Sequence, residues 1–207
     1  MIVVLMGVAG SGKTTAGMLL GHRLKWPFHD TDDLHPTANR DKMSRGTALT
    51  DDDRREWLQA VRDLICCLVD ADENAVIACS ALKSSYREQL AVDPSVVRFV
   101  YLKGSLRLIA ERLASRRAHF FRRELLQSQF DTIEEPKDAI VLEISAPTSS
   151  DCGFDYRASW FEIPRISLIF AEEGHELLDK IIRTLFCDPM TGSFDHAATN
   201  IFRQFAH

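Results

Sequence analysis

The sequence predicts an α/β domain of three layers, with a five-stranded parallel sheet between helices, and three observations carry that expectation. The apolar run Ile2-Val3-Val4-Leu5-Met6 leads straight into Gly7-Val8-Ala9-Gly10-Ser11-Gly12-Lys13-Thr14, a complete G-x-x-x-x-G-K-[ST] phosphate loop. Apolar runs suited to buried parallel strands recur at Ala75 to Cys79, Val96 to Leu102 and Ala139 to Ile144, with helical patterns between them. A shorter run, Trp26 to His29, supplies the remaining strand and ends in the acidic group Asp30, Asp32, Asp33, where carboxylates face a phosphate crevice.

The elements follow in order. Ala16, Leu19, Leu20 and Leu24 recur at helical spacing after the loop, so strand, loop and helix arrive in the required sequence. In such a loop the glycines turn backbone N–H groups inward around a polyphosphate, Lys13 reaches the β and γ oxygens, and the Thr14 hydroxyl can ligate Mg²⁺. The helix beyond points its N-terminus at the anion. Thr50 reads as a helix cap, with Asp51, Asp52 and Asp53 at the positive end of the dipole. Trp57, Leu58, Val61, Leu64, Ile65 and Leu68 mark that helix's buried face.

The chain has 207 residues, enough for one domain with a substantial core. Its net charge of -5, with both signs interspersed, argues against a nucleic-acid binder held by phosphate contacts and for a small-molecule partner. Cys66, Cys67, Cys79, Cys152 and Cys187 form no C-x-x-C pair, and no apolar stretch reaches membrane-spanning length. The first strand feeds the phosphate loop and so does not read as a signal peptide. These features lead to the expectation of reduced thiols, no membrane partner and a cytoplasmic location. Cys79, at the end of an apolar strand, reads as a packed thiol and not a nucleophile.

Many phosphate-loop proteins end a later strand in a magnesium-site aspartate, but Val76-Ile77-Ala78-Cys79 runs into Ser80-Ala81-Leu82-Lys83. The acidic role therefore falls to Asp30-Thr31-Asp32, whose alternate residues can serve Mg²⁺ and an acceptor hydroxyl. No N-K-x-D guanine motif is present. The pattern favours a small kinase of the nucleoside-monophosphate-kinase type, with lid arginines over the phosphates.

Gly7 to Thr15, Asp30-Thr31-Asp32-Asp33-Leu34-His35-Pro36, Asp51-Asp52-Asp53-Arg54, Cys79-Ser80-Ala81-Leu82-Lys83, Tyr86-Arg87, His119-Phe120-Phe121, Ser128-Gln129-Phe130 and Glu134-Glu135-Pro136 occur in that order. Together they resemble the small gluconokinase pattern, over residues 1 to about 147. The resemblance implies a P-loop kinase with a mobile lid at about 115–136, acting as a homodimer. The implied reaction is ATP-dependent phosphorylation of D-gluconate at its 6-hydroxyl, with Mg²⁺.

On that footing Gly7, Gly10, Ser11, Gly12, Lys13, Thr14 and Thr15 bind the nucleotide, and Thr14 with Asp30 holds the metal. Asp32 is favoured over Asp33 as the group that orients the acceptor hydroxyl and takes its proton. Asp32, His35, Arg54, Lys83, Arg87 and His119 are the candidate substrate contacts, the cations serving the carboxylate. Helix pairing for Arg54, packing for His35 and a solvent-facing place for Arg87 are the structural alternatives. In the run Glu111 to His119, read as leading into the lid, Arg112 and Arg116 are the candidates for adenine and phosphates, Arg116 with a catalytic part, and Arg117 stands beside them.

Departures from the family pattern lie at Arg54-Arg55-Glu56-Trp57, where many relatives have Asp-Arg-x-Pro-Trp, and at the chain end. Residues 148–171 form an atypical insertion, Glu172 to Phe186 has the spacing of a last helix, and the tail to 207 completes a single domain spanning 1–207. Two rivals remain: a related kinase acting on shikimate or a nucleotide, and a nucleotide-binding regulatory protein without turnover.

Overall fold

The computed structural model of the chain describes residues 1–115, 123–144 and 181. The chain divides into two compact units, Met1–Ile144 and Ser145–His207, and the architecture below is that of the first. The expectations for Arg116, Arg117, His119, the 148–171 insertion, the 172–186 helix apart from Ile181, which is helical and buried, and the tail lie outside the described residues.

The sheet forms because its centre is apolar on both faces. Strand β1 (Ile2–Met6) is completely buried, flanked in parallel by β3 (Ala75–Ala78) and β4 (Val97–Lys103). With β2 (Phe28–Asp30) outside β3 and β5 (Ile140–Glu143) outside β4, the order is β2-β3-β1-β4-β5, parallel throughout. Alternation sends Ile2, Val4 and Met6 to one face, where they pack with Trp57, Leu58, Val61 and Ile65. Val3 and Leu5 are equally buried, so neither face tolerates a polar residue.

Helix α1 (Lys13–Leu24) follows β1 and closes in the left-handed conformation at Lys25, while the Trp26 N–H returns to the Gly21 carbonyl at 2.9 Å. Pro27 has no N–H to give, and its carbonyl accepts from Val76 at 2.9 Å. The second strand therefore begins at Phe28, two residues later than the apolar run implies. A Cβ on Gly17 would lie 2.3 Å from the Phe28 ring, so α1 approaches β2 where only glycine fits.

A 3₁₀ turn (Thr31–Leu34) and α2 (Thr37–Ser44) carry the chain to α3 (Asp51–Asp70). Thr50 caps α3 through a reciprocal pair: its hydroxyl accepts from the Asp53 N–H at 3.2 Å, and Asp53 accepts from the Thr50 N–H at 3.0 Å. The predicted apolar face is buried, except that Leu64 is half-buried at its margin. Helices α4 (Ser84–Leu90), α5 (Leu106–Ser115) and α6 (Arg123–Thr132) complete the unit, α6 falling within the expected lid segment. Among the described residues no helix is long and apolar enough to cross a membrane.

Candidate active site

The site begins where β1 stops. Gly7 has φ +140, and a Cβ there would sit 2.9 Å from the Leu102 carbonyl oxygen, so the turn requires glycine. Gly10 and Gly12 also have positive φ, and a Cβ on Gly12 would meet nothing within 4 Å, which leaves the mouth of the loop open. The Lys13 ammonium donates to the Val8 carbonyl at 3.0 Å and so folds back over the loop. Ser11 Oγ is buried without a hydrogen-bond partner. An open cradle at a helix N-terminus, a lysine on its rim and an unsatisfied hydroxyl inside it fit a polyphosphate. Thr15 stands half-buried in the first turn of α1.

The acidic exit of β2 meets this loop directly. Thr14 donates to Asp30 Oδ2 at 2.8 Å, while Asp30 Oδ1 accepts from the Asp32 N–H at 3.1 Å and caps the 3₁₀ turn. One carboxylate thus fixes both the hydroxyl and the backbone that presents Asp32. The Asp32 side chain opens to solvent, yet the protein packed around its carboxyl raises the pKa from its ordinary value; Lys13 opposes the rise and Asp30 and Asp33 add to it. Among the described residues no three His, Cys, Asp or Glu side chains converge as a metal cage. A hard cation beside Thr14 and Asp30 would need further oxygen ligands, such as those of a nucleotide.

At the start of α3 Asp51 gathers the cations. Lys83 reaches its two oxygens at 2.8 and 2.6 Å, Tyr86 donates to it at 2.5 Å, and Arg54 lies 3.9 Å away. The Lys83 bond, then the Tyr86 bond, lowers the Asp51 pKa, and Asp51 raises that of Lys83. Arg54 also donates to the Leu49 carbonyl at 2.6 Å. Arg87 faces inward: it is buried, and it donates to the carbonyls of Ala81 and Leu82, each at 3.0 Å. Ala81 has φ +42, so Arg87 braces a strained turn ahead of Lys83. That burial lowers the Arg87 pKa.

His35 lies flat on Trp57, ring centroids 4.5 Å apart and planes at 11°, with its Nδ1 buried and unpartnered. Trp57 in turn donates to the Thr31 carbonyl at 2.8 Å, which ties α3 to the acidic turn. Burial pushes the Cys79 thiol up to about 11, as suits a packed thiol. Arg112 occupies the last turn of α5.

The structure therefore joins Lys13, Thr14, Asp30 and Asp32 around the phosphate loop, and Arg54 and Lys83 around Asp51. It separates Arg87 and His35 from open solvent. Two residues of the quoted motifs carried no expectation of a site role: Asp51, which reads as a dipole partner, and Gln129, whose Oε1 accepts from the Ala9 N–H at 2.6 Å across 120 residues of sequence. No local pattern marks so distant a contact.

Residues 9–145 match the shikimate kinase family model. The thermoresistant gluconokinase of Escherichia coli (strain K12) is 42% identical over 150 residues, 70% of this chain and 86% of that one. The gluconokinase of Gluconobacter oxydans (strain 621H) is 48% identical over 136 residues, 66% of this chain and 76% of that one. Among solved structures, a gluconokinase from Sinorhizobium meliloti 1021 superposes with a TM-score of 0.69 at 33% identity, covering 99% of this chain and 97% of that one. With its phosphate loop, parallel sheet and acidic second strand in place, the chain belongs to the shikimate-kinase-like P-loop kinases and, within them, to the gluconokinase family.

Proposed function

We propose that this chain transfers the γ-phosphoryl group of ATP to the 6-hydroxyl of D-gluconate, releasing ADP and 6-phospho-D-gluconate. The observation that carries the reading is the 2.8 Å bond between Thr14 and Asp30, which joins the phosphate loop to the acidic turn bearing Asp32. Membership of the gluconokinase family supports the choice of acceptor.

Phosphoryl transfer asks a protein mainly to position groups and neutralise charge. The loop amides, Ser11, Thr15 and Lys13 hold the phosphates. Thr14 and Asp30 would hold Mg²⁺, which supplies charge neutralisation on the phosphate oxygens when bound. Asp32 orients the acceptor hydroxyl and takes its proton, a task that its raised pKa suits. Lys83 and Arg54 serve the substrate carboxylate, with His35 and His119 as further substrate contacts and Arg87 as the brace of the Lys83 turn. Arg112, from the last turn of α5, and Arg116, from the expected lid, serve the nucleotide. The free thiols of Cys66, Cys67 and Cys79 suit the cytoplasm. The family resemblance supports a homodimer, which light scattering would check.

A coupled assay of ADP release with Mg²⁺ and ATP tests the reading across D-gluconate, shikimate, glucose, glycerate and nucleoside monophosphates. Gluconate should stimulate release far above the others, because a site built around cations discriminates strongly against an acceptor without the carboxylate. Equal rates with glucose would remove the carboxylate role of Lys83 and Arg54. A preference for shikimate or a nucleotide would reassign the acceptor. ATP binding without acceptor-dependent ADP release would mark a regulatory protein.

A further inference from the structure

We propose that Gln129 is a positioning residue for phosphoryl transfer, acting on Lys13 through the peptide group between Val8 and Ala9; the proposal rests on the kinase reading above. A peptide group is planar, so its C=O and N–H turn together. Here the Val8 carbonyl accepts from the Lys13 ammonium at 3.0 Å, and the N–H on the other side of the same plane donates to Gln129 Oε1 at 2.6 Å. The Ser11 N–H also donates to that carbonyl, at 3.2 Å. Rotating the plane would move the Lys13 anchor and the turn leading to Ser11 together. Gln129 blocks that rotation from outside the loop.

The helix that carries Gln129 is itself fixed to both halves of the site. Leu126, Phe130 and Ile133 pack in one apolar cluster with Val8 of the phosphate loop and Leu82 of the acceptor-side turn. Just beyond α6 the Glu134 N–H donates to the Leu82 carbonyl at 2.9 Å, and Glu134 Oε2 accepts from the Ser84 N–H at 2.6 Å. One short segment therefore holds the peptide behind Lys13 at Gln129 and the residues on either side of Lys83 at Glu134. Each contact is far apart in sequence, so the registration between the two loops depends on α6.

The test compares wild type with Gln129→Met, which keeps the length and removes the acceptor oxygen, and Gln129→Glu, which keeps that oxygen. The readouts are hydrogen exchange at the Ala9 amide, steady-state kinetics at saturating ATP and gluconate, and Tm. Gln129→Met should speed Ala9 exchange and lower kcat roughly tenfold, with both KM values within about threefold and Tm within about 2 °C. Gln129→Glu should keep the slow exchange. Unchanged exchange in Gln129→Met overturns the proposal, as does a kcat equal to wild type or a loss confined to KM or Tm. If wild type turns over no acceptor, the gluconokinase reading fails, and Ala9 exchange still decides the grip of Gln129.

Discussion

Replacing His35 by phenylalanine should flatten part of the acid sensitivity of the fold. His35 is only 7% exposed, stacked on Trp57 with an unpartnered Nδ1. Burial first, then the charges of Arg54 and Arg40, lowers its pKa from 6.5 to about 4. The folded protein therefore holds a neutral ring where the unfolded chain takes up a proton. Between those values the unfolded state binds more protons, so the contribution is complete above the unfolded pKa and is lost as pH falls towards about 4. Linkage over this interval sets a ceiling of about 2 kcal/mol at about pH 5. Solvent screening of a ring near the surface reduces the expected value to about 1 kcal/mol. Phenylalanine preserves the stack and removes the titrating site. In chemical denaturation at about pH 5 and about pH 7.5, wild type should lose about 1 kcal/mol more than His35→Phe on acidification. Equal losses would refute the neutral buried histidine.

Lys13→Ala should lower kcat by orders of magnitude with an unchanged circular dichroism spectrum, because in the proposed mechanism the lost charge acts on the transferring phosphoryl group. Asp32→Asn should retain nucleotide binding, measured by calorimetry, and lose most turnover; a dead Asp33→Asn beside an active Asp32→Asn would move the base to Asp33. Gly17→Ala should destabilise by about 1–3 kcal/mol, since its methyl group would press into the Phe28 ring. Denaturant midpoints would show it, and a smaller residue at Phe28 should restore part of the loss. Thr50→Ala should cost about 1 kcal/mol through the broken cap of α3, read in the same way.

What the sequence made legible was local or periodic. The phosphate loop, the buried face of α3 and the Thr50 cap depend on residues within a few positions of one another, and the buried strands declare themselves by continuous apolar runs. β2 starts later than its apolar run because Trp26 and Pro27 are apolar yet serve to end α1 and to pass the turn. Arg87 illustrates a different limit. Its sequence position one turn after Lys83 fits a substrate contact as well as a solvent-facing side chain, and its bonds to the Ala81 and Leu82 carbonyls depend on a left-handed backbone at Ala81 that no local pattern marks. Asp51 and Gln129 acquire their partners from elements 32 and 120 residues away, distances at which no spacing rule operates.

The Asp51 contacts also bear on how a substrate carboxylate could be received. Lys83 and Asp51 form a close pair, but Asp51 is 62% exposed and Lys83 28%, so water competes for both groups and the pair adds little to stability. A weak partner of this kind can orient the Lys83 ammonium without retaining it. Tyr86 reinforces the arrangement from the interior side: its hydroxyl donates to the same Asp51 oxygen, and its ring lies 5.7 Å from the Lys83 nitrogen. In the proposed reading, a substrate carboxylate would let Lys83 exchange one exposed anion for another at small cost, while Asp51 keeps the Tyr86 bond. The strained turn at Ala81 is held from behind by the bonds of Arg87 to the Ala81 and Leu82 carbonyls and of Glu134 to Leu82 and Ser84. On that reading, orientation by a replaceable anion on a braced turn is a physical basis for receiving the substrate carboxylate.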